Sequence, residues 1–213
     1  MGYKKPTYFD IINRPILRKI TIPLLVLWIY REYIYYGSYI IIPELGNEVS
    51  KNLILLSVSE TVAVLMSYPI RLKIKRVNAF FGFATLITIC SLISSFTTLD
   101  EACMEKGHVC TTKYIYRVSI MVICYLIQLI RFSISLIANI LVSYTLEVYP
   151  SNIRSLGFSL CLGVSSIGST LMPWLNQSFI YINLSGFISF AFASFITLYF
   201  ISKLGETYGR MKT

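Results

Sequence analysis

The 213-residue chain is 55% hydrophobic and only 14% charged, with a mean hydropathy of +0.67. Soluble domains carry about a quarter charged residues, so this composition excludes an ordinary cytosolic enzyme and a disordered chain alike and predicts a polytopic membrane protein. The net charge of +9, from 19 Lys and Arg against 10 Asp and Glu, is read as the one-sided placement of cations that sets membrane topology; no nucleic-acid-binding module is recognisable, and no nucleic-acid partner is expected.

At about 20 apolar residues per crossing, the length accommodates six helices. A basic amphipathic lead, residues 1–19, contains Arg14, Arg18 and Lys19. The first predicted span covers 20–42 and carries the adjacent charges Arg31 and Glu32. The second, 53–70, contains Glu60 and is followed by the basic stretch Arg71 to Arg76; the third covers 80–98. Residues 118–146, with Arg131 near the middle, are too many for one perpendicular crossing and read as a single long helix that tilts or projects from the bilayer. The fifth span covers 155–175 and the sixth 184–202, before a basic tail, 203–213. The expectation is an all-α, six-helix membrane domain over 20–202.

Six crossings put both termini on one side. That side receives thirteen of the 19 Lys and Arg and the other only four, although the spans themselves follow from hydropathy and not from charge. By the positive-inside rule both termini face the cytoplasm, or the matrix if the membrane is the mitochondrial inner membrane, with the plasma membrane as the alternative. The amino terminus lacks the short apolar core and small residues of a cleavable signal.

Ionisable residues within spans are costly, about 2.5–3.5 kcal/mol on insertion scales, and suggest a functional interior. Glu60 and Arg131 either line a substrate path or form a buried structural pair; the structural reading is preferred. Arg31 and Glu32 project about 100° apart on a helix, so each is expected to need its own partner, which points to a subunit interface. Gly157, Cys161, Ser165 and Ser169 recur every four residues with Gly168 beside them, and such small residues permit close helix approach; Gly157, Cys161, Ser165 and Gly168 are therefore further interface candidates. The cysteines are too dispersed for a zinc site. Cys103 and Cys110 flank an outside loop, where a disulfide and two unrelated thiols remain equally open. No Gly-rich phosphate loop, metal-ligand cluster or nucleophile with a partnered histidine is present, so neither enzymatic activity nor a metal or other cofactor is expected.

Glu147, Tyr149, Pro150, Arg154 and Gly157 form an E-x-Y-P-x-x-x-R-x-x-G pattern that resembles the signature after the tenth helix of the major facilitator superfamily, in its organic-ion-transporter branch. Trp28 followed by Tyr35-Tyr36-Gly37 resembles that family's seventh helix, Ser59-Glu60 its eighth, and Gly205-Glu206-Thr207-Tyr208-Gly209-Arg210 the P-E-T-x-G-R close of its twelfth. The resemblance implies the carboxy-terminal half of a twelve-helix transporter, whose cavity lies between two halves near the midplane. In the family's D-R-x-G-R loop the resemblance aligns Arg71 with the aspartate and Ile74 with the turn glycine. A cation at a helix amino terminus would repel, so a poor conformational switch is expected. The branch's selectivity charge on the fifth helix falls on the neutral Ser166.

A lone half would expose its polar cavity wall to lipid, so the partner implied is either a second six-helix half or other membrane subunits, besides lipids themselves. The preferred reading is a degenerate half-transporter retained as an accessory subunit of a larger complex, without transport of its own. The alternative is a transporter of organic ions or small polar solutes, working as a homodimer or with a separate amino-terminal half, in which Tyr35, Tyr36, Glu60 and Arg131 line the path.

Overall fold

A computed structural model describes residues 15–42, 49–104, 112–181 and 185–205, without side chains at 16, 98–104, 112–119 and 180. The 206–210 motif and the side chains of Cys103 and Cys110 lie outside the described residues. Within them the chain forms six helices and no strand: α1 (Pro15–Ile41), α2 (Val49–Lys73), α3 (Arg76–Met104), α4 (Thr112–Val148), α5 (Arg154–Tyr181) and α6 (Gly186–Ile201). Each coincides with one predicted span, and residues 118–146 lie within one 37-residue helix. By length and composition, four segments can cross a membrane: Val49–Lys73, Arg76–Thr97, Ile120–Val148 and Arg154–Phe179, while Gly186–Ile201 is apolar but shorter. The protein is an all-helical, multi-pass membrane protein.

Helix α1 runs through the middle of the bundle and packs against α4, α5 and α6; α2 leans mainly on α4, and α3 is sandwiched between α4 and α6. The tightest approach is between α1 and α5. A Cβ built on Gly168 would come within 2.2 Å of the Ile29 carbonyl oxygen and 3.0 Å of the Tyr33 nitrogen, so only glycine lets the two backbones meet there. The same side of α5 buries Cys161 and Ser165, and the Tyr149 ring covers Gly157 so closely that an added methyl carbon would lie 2.7 Å from it. The small-residue stripe expected at a subunit interface thus makes its close contacts inside the chain. Trp28 of α1 fastens the same region, donating from Nε1 to Thr145 Oγ1 (3.1 Å) and packing edge-on against Phe158.

The surface is sorted by helix. On α3 and α6 the hydroxyls turn inward, with Ser91, Ser94, Ser194 and Thr197 almost wholly buried, while Phe96, Phe192 and Phe195 stand more than half exposed. The exterior of α5 is mixed: Ser159, Ser166 and Thr170 are exposed beside Leu162, Ile167, Leu171 and Trp174. An apolar exterior with buried hydroxyls, as on α3 and α6, suits hydrocarbon.

Replacing Gly168 with Ala is expected to lower the thermal midpoint of the detergent-solubilised protein, by the equivalent of about 1–3 kcal/mol of overpacking. Gly163→Ala, where nothing lies within 4 Å of the added carbon, is expected to leave it unchanged or raise it slightly. A light-scattering or fluorescence melt of both variants checks the pair.

Candidate functional site

Three helices bring their polar residues to one point. Tyr35, Ser38 and Tyr39 fall three to four residues apart on α1 and so share a face; Glu60 faces them from α2 and Arg131 from α4. The Arg131 guanidinium, with no exposed surface, donates through Nη2 to Glu60 Oε2 (2.6 Å) and to the Tyr39 hydroxyl (2.7 Å). Through Nη1 it donates to the Tyr35 carbonyl (2.9 Å) and Ser38 Oγ (3.1 Å). Its carbon also lies over the Tyr35 and Tyr39 rings, 3.5 and 4.3 Å from their centroids, so cation–π attraction adds to the bonds.

The two members of the ion pair differ in access. Arg131 is sealed, whereas the Glu60 side chain is 32% exposed and its second oxygen accepts from the Tyr35 hydroxyl at 3.2 Å. The charge that meets the outside is therefore negative. Tyr36, 46% exposed, stacks edge-on against Tyr35; a shallow depression on α2, lined by Ile54, Ser57, Val58, Thr61 and Val62, does not include Glu60. The four substrate-path candidates thus split: Tyr35, Glu60 and Arg131 form one bonded cluster, and Tyr36 joins it only through a ring contact. Ser38 and Tyr39 are partners of Arg131 that sequence reasoning misses, although the three- and four-residue spacing from Tyr35 is the helical signal that marks them.

Arg31 and Glu32 do not find separate partners. They are ion-paired with each other, because their flexible stems turn around the helix to meet despite the divergence of their Cα–Cβ directions. The pair is mostly covered, at 23% and 12% exposure, and Arg31 also lies 5.2 Å from the centroid of the Tyr35 ring, beside the main cluster. Among the described residues no group of three or more His, Cys, Asp or Glu side chains could hold a metal.

The basic stretch also differs from expectation. Arg71 lies in the last turn of α2, where a cation complements the helix dipole, and not at a helix amino terminus. It donates to Ser143 Oγ on α4 (2.6 Å) and to the Ser67 carbonyl. The cation that does open a helix is Arg76, on α3, and it is ion-paired with Glu147 at the end of α4. The connection between α2 and α3 is therefore bound to α4 twice, where the alignment implied a repelled and weakened joint.

The other signature residues complete a turn. Tyr149 spreads its ring over Gly157 and its hydroxyl donates to Thr21 Oγ1 of α1 at 3.0 Å; Arg154 Nε donates to the Tyr149 carbonyl at 3.4 Å, and the Pro150 carbonyl accepts from Ile153. Burial raises the pKa of the Tyr149 hydroxyl above its ordinary value, partly opposed by the bond to Thr21, so it stays protonated at neutral pH.

No family model matches the sequence. The chain is 24% identical over 187 residues to Solute carrier family 22 member 21 of Mus musculus, a match covering 84% of this chain and 28% of that protein. It is 25% identical over 190 residues to Organic cation/carnitine transporter 2 of Rattus norvegicus (85% and 29%), and 25% over 179 residues to the protein of the same name in Mus musculus (82% and 27%). These similarities support a relation to transporters of the major-facilitator kind. The chain spans less than a third of the length of these curated relatives.

Glu60→Gln removes the counter-ion of a buried guanidinium. Such a change costs about 3–5 kcal/mol when both partners are buried; with Glu60 one-third exposed, about 2–3 kcal/mol is expected. Arg131→Met in the Glu60→Gln background should recover part of that loss, so the double variant melts higher than the sum of the single effects, as a double-mutant cycle in detergent will read.

Proposed function

We propose that the chain forms one six-helix wall of a transport path for organic cations or small polar solutes, corresponding to the carboxy-terminal half of a major facilitator and completed by complementary helices. The carrying observation is the cluster of Tyr35, Glu60 and Arg131. Its only accessible charge is a carboxylate, set among tyrosines, which is the chemistry that attracts an organic cation by charge and ring face. The relatives named organic cation/carnitine transporters support the substrate class. In this reading a cationic substrate competes with Arg131 for Glu60, while Tyr35 and Tyr36 close over it.

A second reading, an accessory subunit of a larger membrane assembly without transport of its own, draws on one observation: Arg131 spends its donors on Tyr35, Ser38, Tyr39 and Glu60, as a purely structural residue would. Uptake of radiolabelled tetraethylammonium by proteoliposomes holding the full chain, alone and with co-purifying partners, separates the two. Transport predicts saturable uptake that Glu60→Gln reduces at least ten-fold and Tyr35→Phe reduces several-fold. The accessory reading predicts no uptake above empty vesicles and a native-gel band shared with unrelated membrane subunits, weakened by Glu60→Gln and Arg131→Met.

A further inference from the structure

One end of the bundle gathers the start of α1, the α2–α3 and α4–α5 turns and the end of α6, and it is strongly basic. Its arginines and lysines are used differently. Arg71 and Arg76 are turned into the fold, onto Ser143 and Glu147, while Arg154 is exposed and touches the Tyr149 carbonyl only through Nε. Lys73, Lys75 and Lys203 are exposed, as are Arg18 and Lys19 at the start of α1. Setting topology requires only that cations be present on one side during insertion; it does not require that three lysines remain turned outward around one pair of helices in the finished fold.

Packing holds the segments that carry the three lysines at the same end of the bundle. Phe80, in the second turn of α3, stacks edge-on with Tyr144, and the Tyr144 hydroxyl donates to the Gly205 carbonyl at 2.7 Å. This ties the chain just beyond α6, which carries Lys203, to the start of α3, which follows Lys73 and Lys75. Directly along the bundle from the lysines, α3 and α6 show the apolar exterior described above, including Phe81 at 48% exposure, Phe195 at 67% and Tyr199 at 61%. Lys203 Nζ lies 5.4 Å from the Tyr199 ring centroid, so an aromatic ring and an ammonium stand at the border between the two zones, as at a membrane interface.

We propose that the basic end of the α3–α6 pair is a binding site for an anionic phospholipid, whose headgroup is held by Lys73, Lys75 and Lys203 and whose acyl chains lie along the exposed apolar faces of α3 and α6. Flexible ammonium groups suit a mobile phosphate as point charges. The continuity of charge with an apolar track selects a lipid over a soluble anion or an acidic protein, neither of which has a use for the phenylalanines. Apart from Lys73, which ends α2 at the far end from the midplane Glu60 cluster, the site lies on or beside the helices that bury their hydroxyls, so it stands whether or not the chain transports a solute.

The test uses the full chain reconstituted in phosphatidylcholine vesicles with trace spin-labelled phosphatidylserine or phosphatidylcholine, and reads the motionally restricted fraction of each label. A basic residue near an anionic surface contributes about a five-fold preference. The unmodified protein is expected to favour phosphatidylserine at least five-fold at low salt, with the ratio falling toward one as ionic strength rises. In the triple variant K73Q/K75Q/K203Q the ratio falls to about one at low salt, while Lys51→Gln, at the opposite end, leaves it unchanged. Parity between the two lipids in the unmodified protein, or a preference that survives in the triple variant or in high salt, would overturn the proposal. The salt titration needs no variant and so reads the site even if the triple substitution impairs folding.

Discussion

A guanidinium with no exposed surface, carried halfway along a helix that spans the bilayer, must be answered by neighbouring groups, since hydrocarbon offers it nothing. In this protein the answer comes from two other helices at once. Arg131 fixes the rotation of α4, because its side chain must reach the Tyr35–Tyr39 face of α1, and it fixes the placement of α2, whose packing is mainly with α4 and whose carboxylate supplies the counter-charge. The weakly packed α2 is thereby held by a charge as much as by apolar contact. The same interaction that organises the bundle leaves one carboxylate partly open to the outside, so the stabilising element and the candidate site are a single object.

A second layer of fastening operates at the basic end. The E-x-Y-P-x-x-x-R-x-x-G pattern reads, residue by residue, as a set of joints: Glu147 to α3 through Arg76, Tyr149 to α1 through Thr21, Arg154 back to the turn itself, and Gly157 as the floor on which the tyrosine ring lies. Together with Arg71 and Ser143, these joints gather α1 through α5 at one end.

Much of this fold is legible in the sequence. Apolar windows locate all six helices, and the length of the fourth marks it as a single long element, because composition along a span does not depend on what the span packs against. Directions are harder to read. The stripe of Gly157, Cys161, Ser165 and Gly168 is recognisable as a face built for close approach, but one sequence cannot say which helix approaches, and it is α1 of the same chain that does. Backbone geometry alone gives Arg31 and Glu32 separate partners, because it neglects the reach of long side chains. Alignment puts Arg71 where the family's aspartate faces a neighbouring helix amino terminus, and the structure shows it in the last turn of α2, bonded to Ser143 of α4. The pairing of Glu60 with Arg131 is readable without coordinates because two opposite charges in hydrocarbon have few alternatives, but the tyrosines and the serine that complete the cluster emerge only once α1 is rotated into place.

The order in which these residues are synthesised adds a constraint on how the protein is built. Glu60 and its partner Arg131 are separated by 71 positions, so α2 and α3 leave the ribosome before α4 brings the guanidinium. Until then Glu60 has only the Tyr35 hydroxyl to bond, and α2 has yet to gain the helix it packs on. Arg31 and Glu32, adjacent and paired with each other, answer one another within α1, whereas the charge partner of Glu60 lies two helices further on. The polar cluster shared by α1, α2 and α4 is therefore complete only once the last of the three has been made.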